Sequence, residues 1–463
     1  MIHHALNHQP LTALAATIAE PANTPSPGPD TTPLLDIFNL YLPVFVVAFL
    51  VTVCITPIMR RIAISQGIVD RPSEARKAHK IPIAYLGGLA VFLGVFAGIA
   101  YSYIGVMLPP DLFDVHTSAF DFEPFPISIV LGMGLITLTG LIDDVAGLDP
   151  RLKVAGQLLA AAALALDDVG VKVAEGFMHP VGVLVGNPDL TWTLSGLPAI
   201  PIVAPTGSIE FDLIYWTGTA IIAVFILGAC NASNLIDGLD GLLSGVTAIA
   251  AACLLFVALT LAQADDGPLD AARIVLALAL LGGCLGFLPH NFNPATIFLG
   301  DTGSLLLGYL TIVLVLSLGD TGKTHLVIAG LIIYAVPIID TVLAIVRRKL
   351  AGKSMSEADD QHLHHMLKRA LGVKGAVLVL YALGTLFGLL GAVLTEGRVR
   401  IILTVAILCG AFIGVTAVKV ARRAAIESET RHFHTNPAPK PASASRPTPA
   451  STPQPAHEPE PTT

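Results

Sequence analysis

"TAIIAVFILGACNASNLIDGLDGLLSGVTAIAAACLLF", residues 219–256, sets two apolar runs on either side of a polar turn in which Asn231, Asn234, Asp237 and Asp240 recur at every third position. Neither run carries a charge. Each approaches the roughly 20 residues that a helix needs to cross about 30 Å of hydrocarbon with its backbone groups paired internally. The stretch therefore reads as two membrane spans joined by a short turn, and two carboxylates with two amides at such a place ask for a reason.

The rest of the chain repeats the pattern. Of 463 residues, 54% are hydrophobic and only 13% charged, well away from soluble-domain averages. Apolar runs predict spans near 37–59, 86–106, 126–142, 154–168, 216–231, 242–263, 272–289, 303–319, 326–346, 375–395 and 400–420. The expected fold is thus an all-α integral membrane protein, a polytopic bundle of about eleven transmembrane helices. The fourth run is short, and Lys153 at its end can snorkel to lengthen it.

Charge orients this bundle. If the connecting segments alternate sides, one face holds all 26 Lys and Arg except Lys172, Arg273, Lys323, Arg398 and Arg400. The positive-inside rule makes that face cytoplasmic, with the N-terminus outside and the C-terminus inside. The segment 169–215, with "LTWTL" and "SIEFDL", predicts a small external hairpin-bearing loop. Residues 1–36 read as a flexible external segment without the basic start of a signal peptide. Residues 37–420 form the polytopic domain, and 421–463, rich in Pro, Ala, Ser and Thr, a disordered cytoplasmic tail. The net charge of −8 and the lack of a basic block argue against nucleic acid. Cys54, Cys230, Cys253, Cys284 and Cys409 form no CxxC and read as inert thiols.

Four further polar clusters fall on the cytoplasmic side: "EARKAHKIPIAYLGG" (74–88), "DDVAGLDPRLK" (143–153), "HNFNPATIFLGDTGS" (290–304) and "RRKLAGKSMSEADDQHLHHMLKR" (347–369). Each has a plain reading. Asp143 and Asp144 can end a span, Asn and Asp favour capped turns, and Asp301 and Ser304 can cap the helix that starts there. His362, His364 and His365 can be a solvated segment, a zinc site or donors to phosphate oxygens beside Arg347 and Arg348. Adjacent carboxylates at a bilayer boundary nonetheless repel unless a cation is near. Ionisable groups this close to hydrocarbon point to function, and hard oxygens are what Mg²⁺ takes. Together the clusters suit phosphoryl transfer at a membrane surface, which needs a divalent metal, cations on phosphate oxygens and an acceptor held in line.

From about residue 37 to 420 the chain resembles the polyprenyl-phosphate N-acetylhexosamine-1-phosphate transferases. The resemblance is carried by "DDVAGLDPRLKVAGQ", "NASNLIDGLDGL", "NFNPATIFLGDTGS" and "HLHH", in the family's order. It implies a multi-pass enzyme of the bacterial inner membrane whose site faces the cytoplasm. Such an enzyme moves a sugar-1-phosphate from a UDP-N-acetylhexosamine to undecaprenyl phosphate with Mg²⁺ (or Mn²⁺), releases UMP, and can pair as a homodimer. Asp143 and Asp144 resemble the pair assigned to the lipid phosphate, Asp301 the magnesium ligand, and Asp237 a residue close to the same metal. Asn234, Asp240 and Asn291 match nucleotide-sugar positions. His362, His364, His365, Arg347 and Arg348 match the loop that meets the pyrophosphate, with Lys80 and His79 as weaker matches. Where the family often has Pro-Arg before Leu-Gly-Gly, this chain has Ala84 and Tyr85, which removes a cation.

The histidine motif is similar to that of the branch that transfers N-acetylglucosamine-1-phosphate for surface polysaccharide or teichoic acid linkage units. The sister branch that transfers a muramoyl-pentapeptide phosphate is the alternative. A secondary transporter is the reading from another class, but its site belongs near the bilayer midplane. The acidic residues here are expected at span ends.

Overall fold

The computed structural model describes residues 33–70, 82–105, 125–195, 208–350 and 362–435. The helices are α1 (Leu34–Gln66), α2 (Gly87–Gly105), α3 (Ile127–Ala146), α4 (Pro150–Ala165), α5 (Glu175–Val185), α6 (Leu213–Ile236) and α7 (Leu242–Gln263), followed by α8 (Asp270–Asn291), α9 (Gly300–Ser317), α10 (Thr324–Ile333), α11 (Ala335–Leu350), α12 (Leu363–Thr395) and α13 (Val399–Thr435). Among them, 7 are long and apolar enough to cross a membrane, or 8 if the bent pair α10–α11 is one span. Shorter apolar stretches lie in α2 and α13. The protein is an all-α membrane protein, and every apolar run predicted above falls on a helix or on the bent pair.

Burial ranks the helices. α9 lies at the centre, packed against α2, α3, α6, α7 and α8, and every residue from Thr302 to Ser317 is buried. A helix that is apolar all round has no face to offer water, so it becomes the core of the bundle. α1, α3 and α6 instead leave Leu50, Leu131, Leu138 and Val224 exposed, as suits helices that face lipid.

Strands are few. β1 (Val69–Asp70) pairs antiparallel with β2 (Ile83–Ala84), and Ala84 makes a parallel bridge to Ile297 that ties the first polar segment to the loop before α9. β3 (Thr191–Ser195) pairs antiparallel with β4 (Ser208–Asp212), with Thr191 opposite Asp212 and Ser195 opposite Ser208. Asp212 then caps α6 by accepting from the Tyr215 N–H at 2.9 Å.

Three places differ from the sequence expectation. The predicted span 326–346 is broken, with α10 and α11 bent by 81°. Pro337 sits in the first turn of α11, where its missing N–H and its ring forbid a continuous helix through Tyr334. Asp340 accordingly lies inside a predicted span and is buried, so acidic residues are not confined to span ends. The histidine segment, expected as loop, begins a helix: His364 and His365 occupy the first turn of α12, which changes direction at Gly372, where φ is +72°. Finally, α13 stays helical to Thr435, into the segment expected to be a disordered tail; its Ala, Arg and Glu residues are good helix formers. Residues 1–32 and 436–463 lie outside the described residues.

Candidate active site

The site is built on the start of α9. Gly300 adopts φ +69°, and a Cβ there would lie 2.5 Å from the Asp144 carboxylate, so only glycine lets the chain turn this close to α3. Asp144 fills the place of a missing cap. Its oxygens accept from the Asp301 N–H at 2.7 Å, the Thr302 N–H at 2.9 Å and the Thr302 hydroxyl at 2.6 Å. The first amides of a helix have no partners within it, and here a carboxylate from another helix satisfies two of them. That fixes Asp301 at the tip of α9.

Asp301 in turn meets three elements. Its Oδ1 accepts from Asn234 Nδ2 at 2.7 Å, and the same amide donates to Ser304 Oγ at 2.9 Å. Its Oδ2 is ion-paired with Lys153, whose ammonium also lies 2.6 Å from Asp143 Oδ2. Asp143 Oδ1 accepts from the Leu148 N–H at 2.7 Å. Lys153 gets there because Asp149 caps α4, accepting from the Arg151 N–H at 2.8 Å, and Pro150 starts the helix with its φ already set. The first turn of α4 then faces the end of α3. Lys153 is thus not a residue that merely snorkels at a span end; it bridges two acids of the site.

Beside this bridge lies a cavity of about 480 Å³, within the usual range of ligand sites, lined among others by Asn234, Asp237, Asp240, Asn291, Asp301 and His365. Asp237 caps the end of α6, and among the described residues its carboxylate has no hydrogen-bond donor. Burial, with the nearby charges of Asp301, Asp144 and Asp240, pushes its pKa up to about 8. Asp240 Oδ2 accepts from Asn293 Nδ2 at 2.8 Å and the Ala295 N–H at 3.0 Å. Asn291 is spent on structure, since it accepts from the Gly241 N–H at 3.1 Å and the Ser244 hydroxyl at 3.0 Å and donates to the Ile297 carbonyl at 3.1 Å. Tyr85, in the place of the family's cation, lines the cavity with its ring tilted against Phe298 and its hydroxyl bonded to Asp70.

His365 lines the cavity, with His362 and His364 packed against it. His362 and His364 are buried and stacked, with ring centroids 5.3 Å apart, and His365 lies 4.3 Å from His364. The His364 Nε2 edge packs on Gly238, where a Cβ would come within 2.5 Å of it. Both Nδ1 atoms face Asp340 Oδ2, at 3.1 and 3.2 Å. Arg347 and Arg348 are buried on the last turn of α11. Sequence reading missed Asp340 and Lys153. The signal for Asp340 was an ionisable residue inside an apolar run. Lys80 and His79 lie outside the described residues.

The site brings together Asp143, Asp144, Asp237, Asp240 and Asp301 with one ammonium, that of Lys153, and the side-chain amides of Asn234 and Asn293. That surplus of hard, negatively charged oxygen fits a divalent cation such as Mg²⁺. Lys153 already shows that positive charge between Asp143 and Asp301 is favourable.

The family model described as "Glycosyl transferase family 4" matches residues 126–319. A protein of Bacillus subtilis (strain 168) named "Probable undecaprenyl-phosphate N-acetylglucosaminyl 1-phosphate transferase" is 32% identical over 77% of this chain and 85% of its own length. The decaprenyl-phosphate N-acetylglucosaminephosphotransferase of Mycolicibacterium smegmatis is 32% identical over 72% of this chain and 77% of its own. A phospho-N-acetylmuramoyl-pentapeptide-transferase of Desulforudis audaxviator is 29% identical over 74% and 95%.

Proposed function

Since this chain belongs to glycosyl transferase family 4 and is a polyprenyl-phosphate sugar-1-phosphate transferase, we propose that it moves N-acetylglucosamine-1-phosphate from UDP-N-acetylglucosamine to undecaprenyl phosphate. The products are the lipid diphosphate sugar and UMP, and the step initiates a cell-surface glycan. In this reading the chain spans a bacterial inner membrane about eleven times, with the N-terminus outside and the site at the cytoplasmic face. The observation that carries the proposal is the bridge of Asp143 and Asp301 by Lys153 at the start of α9, beside a cavity lined by Asp237, Asp301 and His365.

A lipid phosphate oxygen attacks the β-phosphorus of the UDP-sugar, and the bond from that phosphorus to the bridging oxygen breaks as UMP leaves. Asp143 is the carboxylate with the lipid phosphate, because all three bonds of Asp144 go to the start of α9, whereas Asp143 is held by one backbone N–H and shares the Lys153 ammonium with Asp301. Asp144 therefore positions Asp301. Asp301 and Asp237 would hold Mg²⁺, which when bound neutralises the diphosphate and stabilises the leaving UMP. Asn234 aims Asp301, and Asp240 and Asn291 shape the nucleotide end of the cavity. His365, Arg347 and Arg348 donate to phosphate oxygens, and His364 packs behind His365. Greater identity to the N-acetylglucosamine-1-phosphate relatives than to the muramoyl-pentapeptide relative favours the first donor.

The test is purified protein with undecaprenyl phosphate, Mg²⁺ and a panel of UDP-sugars, scored for UMP and lipid product. Turnover is expected with UDP-N-acetylglucosamine. Inactivity with every UDP-N-acetylhexosamine overturns the proposal, and activity with only the muramoyl-pentapeptide donor moves it to the sister reaction.

A further inference from the structure

We propose that Asp340 is a positioning residue for this reaction: it holds the imidazoles of His362 and His364 in the Nδ1–H tautomer and turns His364 Nε2 toward the Asp237 side of the cavity. The inference rests on the transferase reading above and extends it to a residue that touches no substrate.

The geometry is specific. Asp340 Oδ1 accepts from the Leu363 N–H at 2.7 Å, so it supplies the cap that the first turn of α12 lacks. Its Oδ2 meets His362 Nδ1 at 3.1 Å and His364 Nδ1 at 3.2 Å. An ionised carboxylate can only accept, so both ring nitrogens facing it must carry hydrogens. In a neutral ring that leaves Nε2 as the lone-pair nitrogen. For His364 this atom packs on Gly238, one residue from Asp237, where the absent side chain lets the ring approach. All three residues are buried, so little water competes for these bonds.

Asp340 also links two separate elements of the architecture. It stands on α11, past the 81° break, and the histidines stand on the separate start of α12. Without it the ring plane and the tautomer would be set only by stacking. The same three residues could instead hold a metal ion, since their ligand atoms lie within 4.8 Å of one another. A metal held through the two Nδ1 atoms would require both to lose their hydrogens, and the experiment distinguishes the two.

The experiment is a double-mutant cycle between Asp340→Asn and His364→Ala, with activity, metal content and histidine ¹⁵N spectra of the detergent-purified protein. Asp340→Asn keeps one oxygen for the Leu363 N–H but offers an amide to a ring nitrogen. It is expected to lower kcat about 100-fold with KM for the UDP-sugar changed less than about threefold. Added to His364→Ala, it is expected to cost no more than about threefold further, because it acts through that ring. Losses that multiply would mean a general structural role and overturn the proposal. If the asparagine variant does not fold, Asp340→Glu, which keeps the charge and displaces the rings, is expected to lower kcat about tenfold, again only when His364 is present. The ¹⁵N spectrum should show two Nδ1–H imidazoles that disappear in the variant. It tests the assignment even if the wild type proves inert toward every UDP-sugar, which would sink the transferase reading alone. Zinc or another metal bound at about one per chain, and lost with Asp340→Asn, overturns the tautomer assignment.

Discussion

At the Asp270 end of α8, Arg273 is wholly buried, its guanidinium 3.1 Å from Asp270 and 3.5 Å from Asp266, while Lys323 pairs with the second oxygen of Asp266. At the other end, 22 residues and about 33 Å away, Asn291 leads into the cavity where Asp143 and Asp301 share Lys153 and Asp237 faces open space. Both ends mix aspartate with a cation against hydrocarbon. They differ in what lies beside them: at one end Asp266, Asp270 and Arg273 are paired with one another and with Lys323, and at the other Asp237 stands beside a cavity large enough for a ligand. Buried charge alone therefore does not mark the active site; charge beside a ligand-sized cavity does.

The largest expected effect falls at the open end. Asp301→Asn keeps the shape and the bond from Asn234 but removes the charge that faces Lys153 and the proposed cation. UMP release is expected to drop at least about 10³-fold, in line with losing a principal electrostatic contact of a transition state. Thermal unfolding in detergent should move little, because one strained negative charge leaves a crowded acidic site. Near-normal turnover that still depended on Mg²⁺ would show that Asp301 is not the metal residue.

Next comes the closed end, where the sign of the comparison should reverse. Arg273→Met leaves Asp266 and Asp270 buried with only Lys323 near, a loss of about 3–5 kcal/mol of stability by analogy with broken buried ion pairs. Activity per folded molecule should stay within about twofold. If stability held and activity fell, the two ends would be coupled rather than separate, and the distinction drawn here would fail.

How much of this was legible beforehand follows from the range of each interaction. The apolar runs were readable because crossing hydrocarbon imposes length and composition locally, and Asp143, Asp237, Asp301 and His364 stood out as candidates because their spacing and type suit chemistry. Lys153 was not, since its role depends on how a capped helix start folds back on the end of α3. Asp144 looked like a second reactive acid; its three bonds run to residues more than 150 positions away, a pairing that periodicity cannot report. The break at Tyr334 and the burial of Asp340 were hidden because Pro337 and Asp340 sit in a run apolar enough to pass as one continuous span.

The smallest effect probes the seam between scaffold and site. Thr302 is buried and donates its hydroxyl to Asp144 Oδ2 at 2.6 Å, while its backbone N–H meets the same oxygen at 2.9 Å. Thr302→Val keeps volume and backbone bond and removes only the hydroxyl. A hydrogen bond to a charged group contributes about 1.5 kcal/mol at the low end of its range, and the remaining amide keeps Asp144 from being orphaned. Stability should therefore fall by about that amount, seen as a small drop in melting temperature. Turnover should fall only a few-fold, because the Asp301 N–H still holds the tip of α9. A loss as large as that of Asp301→Asn would mean that Asp144 is itself a reacting group whose charge Thr302 tunes, and the division of labour between the paired acids would have to be reversed.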